Sequence, residues 1–400
     1  MMKNRKVLCI GVNDFRNRMS GGNERNRQIV NLLSNEFEVT YLAHSLEDWS
    51  ESDGHNLQFA SYGHKDCTCH KFSFSQARIV RSLVCEHALQ SINSIFDINR
   101  PDVIIFLNSY FASAIDIDKV PRVLFLPDLE VYRFRSLAKV GRLSNRLSSL
   151  FEYYKACWWE HRAIESSDLA VAISEVDERM LQKWSENTAV LSPPIPKGKE
   201  IAPKVSNGKV LIFGNFEYRP NQFDAESFIM KVWPTLKRSH KRLQLSIAGF
   251  RATDVRIPIG DEYDEIEVIE SPEDIFPLID NAQYLLFPVR HGAGRQIKVL
   301  YGLSRNRIAI MTPYSFDSVP HELRELCYVG NNVNEFLNIF DLLEGNLNVG
   351  KSREYVADMM NLIDIKVQNQ SKLIVDEIAQ LIEQELQNKL NHNEDNLDCK

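Results

Sequence analysis

The stretch from Tyr284 to Thr312, YLLFPVRHGAGRQIKVLYGLSRNRIAIMT, decides how the rest of the chain is read. Tyr284 to Phe287 is a short apolar run halted by Pro288, the pattern of a buried strand. His291, Gly292, Ala293 and Gly294 then interrupt it, and the two glycines permit conformations and close approaches that a Cβ would block. From Arg295 the apolar residues Ile297, Leu300, Tyr301 and Leu303 recur at helical spacing, so a helix begins there. Arg295 and Lys298 fall near its first turn, where unpaired N–H groups and the macrodipole favour an anion. Ile308 to Met311 reads as the next strand. A phosphate fits such a loop; an ordinary strand–turn–helix with two solvated cations is the plainer alternative.

Working outward, the same strand–helix alternation occupies both halves of the chain. Four hundred residues suggest two domains. Hydrophobic residues make up 44% and charged ones 25%, a globular composition. Forty-seven basic residues against 54 acidic ones give a net charge of −7, which argues against general nucleic-acid binding. No apolar run approaches the roughly 18 residues of a membrane span, and MMKNRKVLCIGV reads as a first strand rather than a signal peptide. Seven scattered cysteines fit a reducing, cytoplasmic setting. Cys67, Cys69 and His70 form the one cluster, with no second ligand pair, and read as a plain loop rather than a metal site.

Lys6 to Gly11 predicts a strand, Gly21-Gly22 a turn, Asn23 to Leu33 a helix carrying Arg25, and Val39 to Ala43 a strand: a βαβ opening that predicts a parallel sheet. Residues 46 to 75 read as irregular, and Gln76 to Asn99 as a helix. Val103 to Leu107 and Val123 to Leu126 are buried-type strands delivering Asn108, and then Asp128 and Glu130, to one sheet edge. Asn145 to Ser166 predicts a helix whose Phe151, Tyr153, Tyr154, Trp158 and Trp159 suit either a core or a membrane interface. Four prolines between Ser192 and Pro203 mark a linker. Beyond it, Val210 to Phe213, Leu243 to Ala248 and Ile266 to Ile269 predict strands, with Asp224 to Leu236 a helix. The carboxyl end is helical, with Ile374, Ile378, Ile382, Leu386 and Leu390 spaced to dock on the chain's own core or on a coiled-coil partner. The expected domains are 1–191, a linker over 192–207, 208–350, and helices over 351–400.

With these motifs placed, the chain resembles the GT-B glycosyltransferases, in particular the retaining, nucleotide-sugar-dependent group called family 4 or group 1. GNFEYRPNQFDAESFIMKVWPTL, from Gly214, is similar to the opening of that family's second domain, and HGAGRQIKVLYGLSRNRIAIMT, from His291, to its donor-binding segment. Gly21-Gly22, the AISE from Ala172 and the helical carboxyl end also fit. The resemblance implies two doubly wound, Rossmann-like α/β domains facing a cleft, with the carboxyl-terminal helices packing back across them. It implies a nucleotide-sugar donor, a glycan or lipid-linked glycan acceptor, and no cofactor or metal. By position, Gly214, Arg219, Asn221, Ile269, His291, Gly292, Ala293, Gly294, Arg295, Lys298 and Tyr301 would line the donor site, with Arg295 and Lys298 neutralising the diphosphate. Gly21, Gly22, Arg25 and Asn108 would lie on the acceptor side, and Asp128 and Glu130 are the candidate catalytic carboxylates. Tyr301 departs from the pattern, since the family has a ribose-binding glutamate about three residues after the lysine. The expected function is glycosyl transfer in surface polysaccharide or glycolipid synthesis in the cytoplasm, with peripheral contact at the inner membrane face. A non-catalytic sugar-nucleotide-binding scaffold and a nucleotide-sugar epimerase are the alternatives.

Overall fold

Continuous apolar runs too short for helices build the centre of each sheet, as expected of parallel strands covered on both faces. The computed structural model describes residues 2–16, 21–45, 56–63, 80, 83–115, 117, 120–127, 129–139, 143–194, 205–291, 297–345 and 352–398. The chain divides into two units, one comprising Met1–Pro193 with Val367–Lys400 and the other Pro194–Lys366.

The first unit holds β1 (Lys6–Ile10), β2 (Glu38–Ala43), β3 (Leu57–Ser61), β4 (Val103–Phe106), β5 (Arg122–Leu126), β6 (Leu169–Ala172) and β7 (Thr188–Val190). They form one sheet in the order β3-β2-β1-β4-β5-β6-β7, and every pairing is parallel. The two-residue period of a strand sends Val7, Cys9, Ile105 and Val123 to one face and Leu8, Ile10, Ile104 and Leu124 to the other. On the first face the helix Gly21–Glu36 contributes Ile29, Val30 and Leu33, and the final helix contributes Ile374, Ile378 and Ile382. That helix runs unbroken from Arg353 to Asp398, and its isoleucines are buried in this unit's own core. The opposite face is covered by the helices Glu86–Asn99 and Leu143–Glu165, through Ala88, Ile92, Trp159, Ala163 and Ile164.

The second unit holds β8 (Lys209–Phe213), β9 (Gln244–Gly249), β10 (Glu267–Glu270), β11 (Tyr284–Phe287), β12 (Ile308–Met311) and β13 (Cys327–Val329). Their order is β10-β9-β8-β11-β12-β13, again all parallel. The helix expected over Asp224 to Leu236 is two helices, Arg219–Lys231 and Trp233–Ser239. Pro234 has no N–H to give to the preceding turn, and its ring crowds the carbonyl four residues back. Two edge strands, β3 and β13, were not expected from the sequence, nor was the helix Glu130–Leu137. Gly21 and Gly22, expected in a turn, lie in the first turn of a helix, where the N–H groups have no intrahelical partner in any case.

Candidate functional site

Strand order reverses at one point in each sheet, between β1 and β4 and between β8 and β11. The loops leaving two such strands diverge to opposite faces and open a crevice at the carboxyl edge, where ligands bind in open α/β sheets. In the second unit, the loop after β8 carries Gly214 and leads to Asn221, and the loop after β11 carries His291 and leads to Lys298. The strand β11 and the start of the helix that carries Lys298 therefore stand at the switch point.

Lys298 is the second residue of the helix Ile297–Ser304, and its Nζ lies 3.3 Å from Asn221 Oδ1. A Cβ built on Gly214 would come 3.3 Å from that same Nζ, so the bare glycine leaves the ammonium its space. Asn221 donates through Nδ2 to the Asn215 carbonyl at 2.9 Å, which tethers it to the β8 loop. Burial pushes the Lys298 ammonium down to about 8, only partly opposed by the nearby Asp224 carboxylate. Among the described residues no carboxylate forms an ion pair with it. A half-buried cation held by one neutral amide is arranged to receive an anion.

Asp224 builds the other side. Its carboxylate is almost wholly buried and accepts from Arg290 N at 2.7 Å and His291 N at 3.0 Å, and it meets His291 Nδ1 at 2.8 Å. The acceptor-only carboxylate assigns the proton to Nδ1 and leaves Nε2 on the far side of the ring. Sequence reasoning passed over Asp224, although a signal was present: it sits in the inward row of its helix with Pro220, Ala225 and Phe228. Gly249 locks the same loop from β9. Its φ is +139°, and a Cβ there would lie 1.9 Å from the Gly214 carbonyl oxygen.

Tyr301 stacks on Phe276, with ring centroids 5.6 Å apart and planes 20° from parallel. Arg305 lies 5.9 Å from the Phe276 ring centre and pairs with Asp280 at 2.6 Å. Ile269 belongs to the edge strand β10 and is followed by Glu270. Glu270 accepts from Arg251 N, Thr253 N, Thr253 Oγ1 and Ser271 Oγ, which hold its carboxyl down at about 2. Arg219 is exposed at the start of its helix. Gly292, Ala293, Gly294 and Arg295 lie outside the described residues, as do Asp128 and the Cys67, Cys69, His70 cluster.

The first unit places its candidates less tightly. Asn108 caps the short helix Ser109–Ala112, its Oδ1 accepting from Tyr110 N at 3.1 Å. Glu130 is buried and engaged, accepting from Tyr110 Oη at 2.9 Å and pairing with Arg133 at 3.0 Å. Glu160 in turn accepts from Glu130 N and Val131 N, capping the helix Glu130–Leu137 from a distant element. Arg25 is buried, while Gly22 faces open space.

Neither a protein-family model nor a curated protein sequence matches the chain. Among solved structures it is similar to a sucrose-phosphate synthase from Thermosynechococcus elongatus, at a TM-score of 0.64 and 12% identity, covering 94% of this chain and 99% of that one. WaaG, a glycosyltransferase involved in lipopolysaccharide biosynthesis, matches at 0.59 and 13% identity, covering 93% and 99%. An α,α-trehalose-phosphate synthase (UDP-forming) from Burkholderia vietnamiensis matches at 0.58 and 9% identity, covering 95% and 98%. With two parallel sheets, each reversing its strand order once, and likeness along nearly the full length of these chains, the protein has the GT-B fold.

Proposed function

We propose that this chain is a glycosyltransferase that takes a sugar from a nucleotide-sugar bound at the β8/β11 switch point and passes it, with retention, to a glycan or glycolipid acceptor in surface polysaccharide synthesis. The proposed setting is the cytoplasmic side of a membrane. The observation that carries this reading is Lys298, a half-buried ammonium beside a bare glycine at a helix start, where a diphosphate would meet both charge and free N–H groups. The names of the similar structures support it, since the three proteins described above are sugar-transferring enzymes by those names.

In the proposed reaction the bond between the sugar C1 and the phosphate oxygen breaks, and its electron pair goes to that oxygen. The acceptor hydroxyl bonds to C1 from the same face, and its proton passes to the departing phosphate oxygen. Lys298, with Arg295 beside it in sequence, would stabilise the charge that grows on the phosphate. Tyr301 favours keeping a second reading, a sugar-nucleotide-binding scaffold, because it stands where the resembled family has its ribose carboxylate.

A panel of nucleotide sugars screened by thermal denaturation, followed by assay of nucleotide release with an acceptor extract, tests both. Stabilisation by one donor with release and a glycosylated product is expected. Binding with no release in any extract supports the scaffold, and no stabilisation by any donor overturns the site.

A further inference from the structure

We infer that the first unit docks on an anionic lipid bilayer through the outer face of the helix Leu143–Glu165. The helix buries Lys155, Ala156, Trp159, Glu160, Ala163 and Ile164 on one side. Its other side should be polar if it met only water. Instead Leu143, Leu147, Leu150, Phe151, Tyr154 and Trp158 stand exposed, from 68% at Leu143 to 42% at Leu150. At 100° per residue these six fall within an arc of roughly 100°, opposite the buried row, along roughly 22 Å of helix. Residues 143 to 148 are exposed without exception.

Charge identifies the occupant. Residues 129–165, from the preceding helix to the end of this one, carry seven lysines and arginines against four acids, Glu130, Glu152, Glu160 and Glu165, in a chain whose net charge is −7. Three of these acids are engaged, Glu130 with Arg133 at 3.0 Å, Glu152 with Lys155 at 3.2 Å, and Glu160 on the backbone N–H groups of residues 130 and 131, while Glu165 lies exposed at the far end of the helix, 3.7 Å from His161. The cations border the apolar stripe. The exposed Arg162 guanidinium lies 5.0 Å from the centre of the Trp158 ring and the exposed Arg146 is tied to the Ala138 carbonyl, while Lys155, 4.5 Å from the centre of the Phe151 ring, is buried and already paired with Glu152. Leucines with Phe, Tyr and Trp rings, rimmed by snorkelling cations, are the composition of a helix lying in the headgroup plane. At its carboxyl end the stripe runs into an open recess of about 360 Å³ where Trp158, Trp159, Val84, Leu89 and Ala114 meet the polar Glu86, Ser113 and Arg162. A second copy of this chain would bring the same surplus of positive charge to the contact, whereas an anionic surface neutralises it.

The inference deepens the reading of the acceptor as lipid-linked, but its test needs no donor. The full chain is mixed with phosphatidylcholine vesicles, with or without phosphatidylglycerol, and sedimented. Binding to the anionic vesicles that weakens as salt is raised is expected. The double variant Leu147→Ser/Phe151→Ser should lose at least about tenfold in partitioning. Arg146→Gln should lose about fivefold. Both variants should keep the wild-type circular dichroism and unfolding midpoint, because the residues changed are exposed. Failure of the wild-type chain to bind either vesicle overturns the inference, as does full binding by the double variant. A dimer split by the same double variant, with no vesicle binding, makes the stripe a subunit interface instead.

Discussion

An ammonium group withdrawn from water gives up its proton early, and Lys298 makes the candidate site pH-dependent for that reason. Its folded value of about 8 lies below the ordinary 10.5, so the unfolded chain holds this proton more tightly. Between about 8 and 10.5 the unfolded state binds more protons, and this residue's contribution to stability rises with pH through that window. Donor affinity should move the other way, steady below about pH 8 and falling by up to about tenfold per unit above it as the ammonium is lost. Titration calorimetry across pH 6.5 to 9.5 measures this, and Lys298→Ala should abolish the slope while slowing transfer by about a hundredfold. Asp224→Asn addresses the neighbouring side chain. The amide can no longer accept from His291 Nδ1 and two backbone N–H groups with both of its arms, so a loss of about 1–3 kcal/mol in urea unfolding is expected.

Elements differ in how openly they announce themselves. The central strands VLCI, VIIF and YLLF could be read directly, because burial on both faces leaves no room for polar residues. The edge strand β3, LQFAS, could not, since one neighbour suffices for it and its polar residues resemble those of a loop. The helix Glu130–Leu137 was hidden for another reason: its amino end is capped by Glu160, thirty residues away, and no local capping residue marks it. The turn from β9 was legible only as a glycine. Its importance comes from the carbonyl of Gly214 packed against it, so Gly249→Ala should cost on the order of 3 kcal/mol and disturb the β8 loop. Chemical denaturation reads the first effect, and the loss of donor-induced stabilisation reads the second.

At the scale of the whole molecule, the last helix belongs to both units, with residues up to 366 assigned to one and those from 367 to the other. Its Ile374, Ile378 and Ile382 complete the core of a sheet whose first strand begins at Lys6. Ile378→Ala should therefore destabilise the first unit by about 3 kcal/mol, and a chain ending at Lys366 should leave that core open and be recovered misfolded. Calorimetry of the variant and the solubility of the truncated chain check the two outcomes. Local chain chemistry was enough to specify that strands and helices alternate, that a glycine loop precedes a helix beginning near two cations, and that prolines separate two such series. Those properties depend on neighbours a few residues apart, and periodicity records them. Which strands lie side by side is a different matter. Tertiary structure alone put β11 next to β8, brought Lys298 to Asn221 across 77 residues, and turned Asp224 from one acid among many into the support of His291. Contacts of that range arise from burying two sheet faces at once, and no short window of sequence contains them.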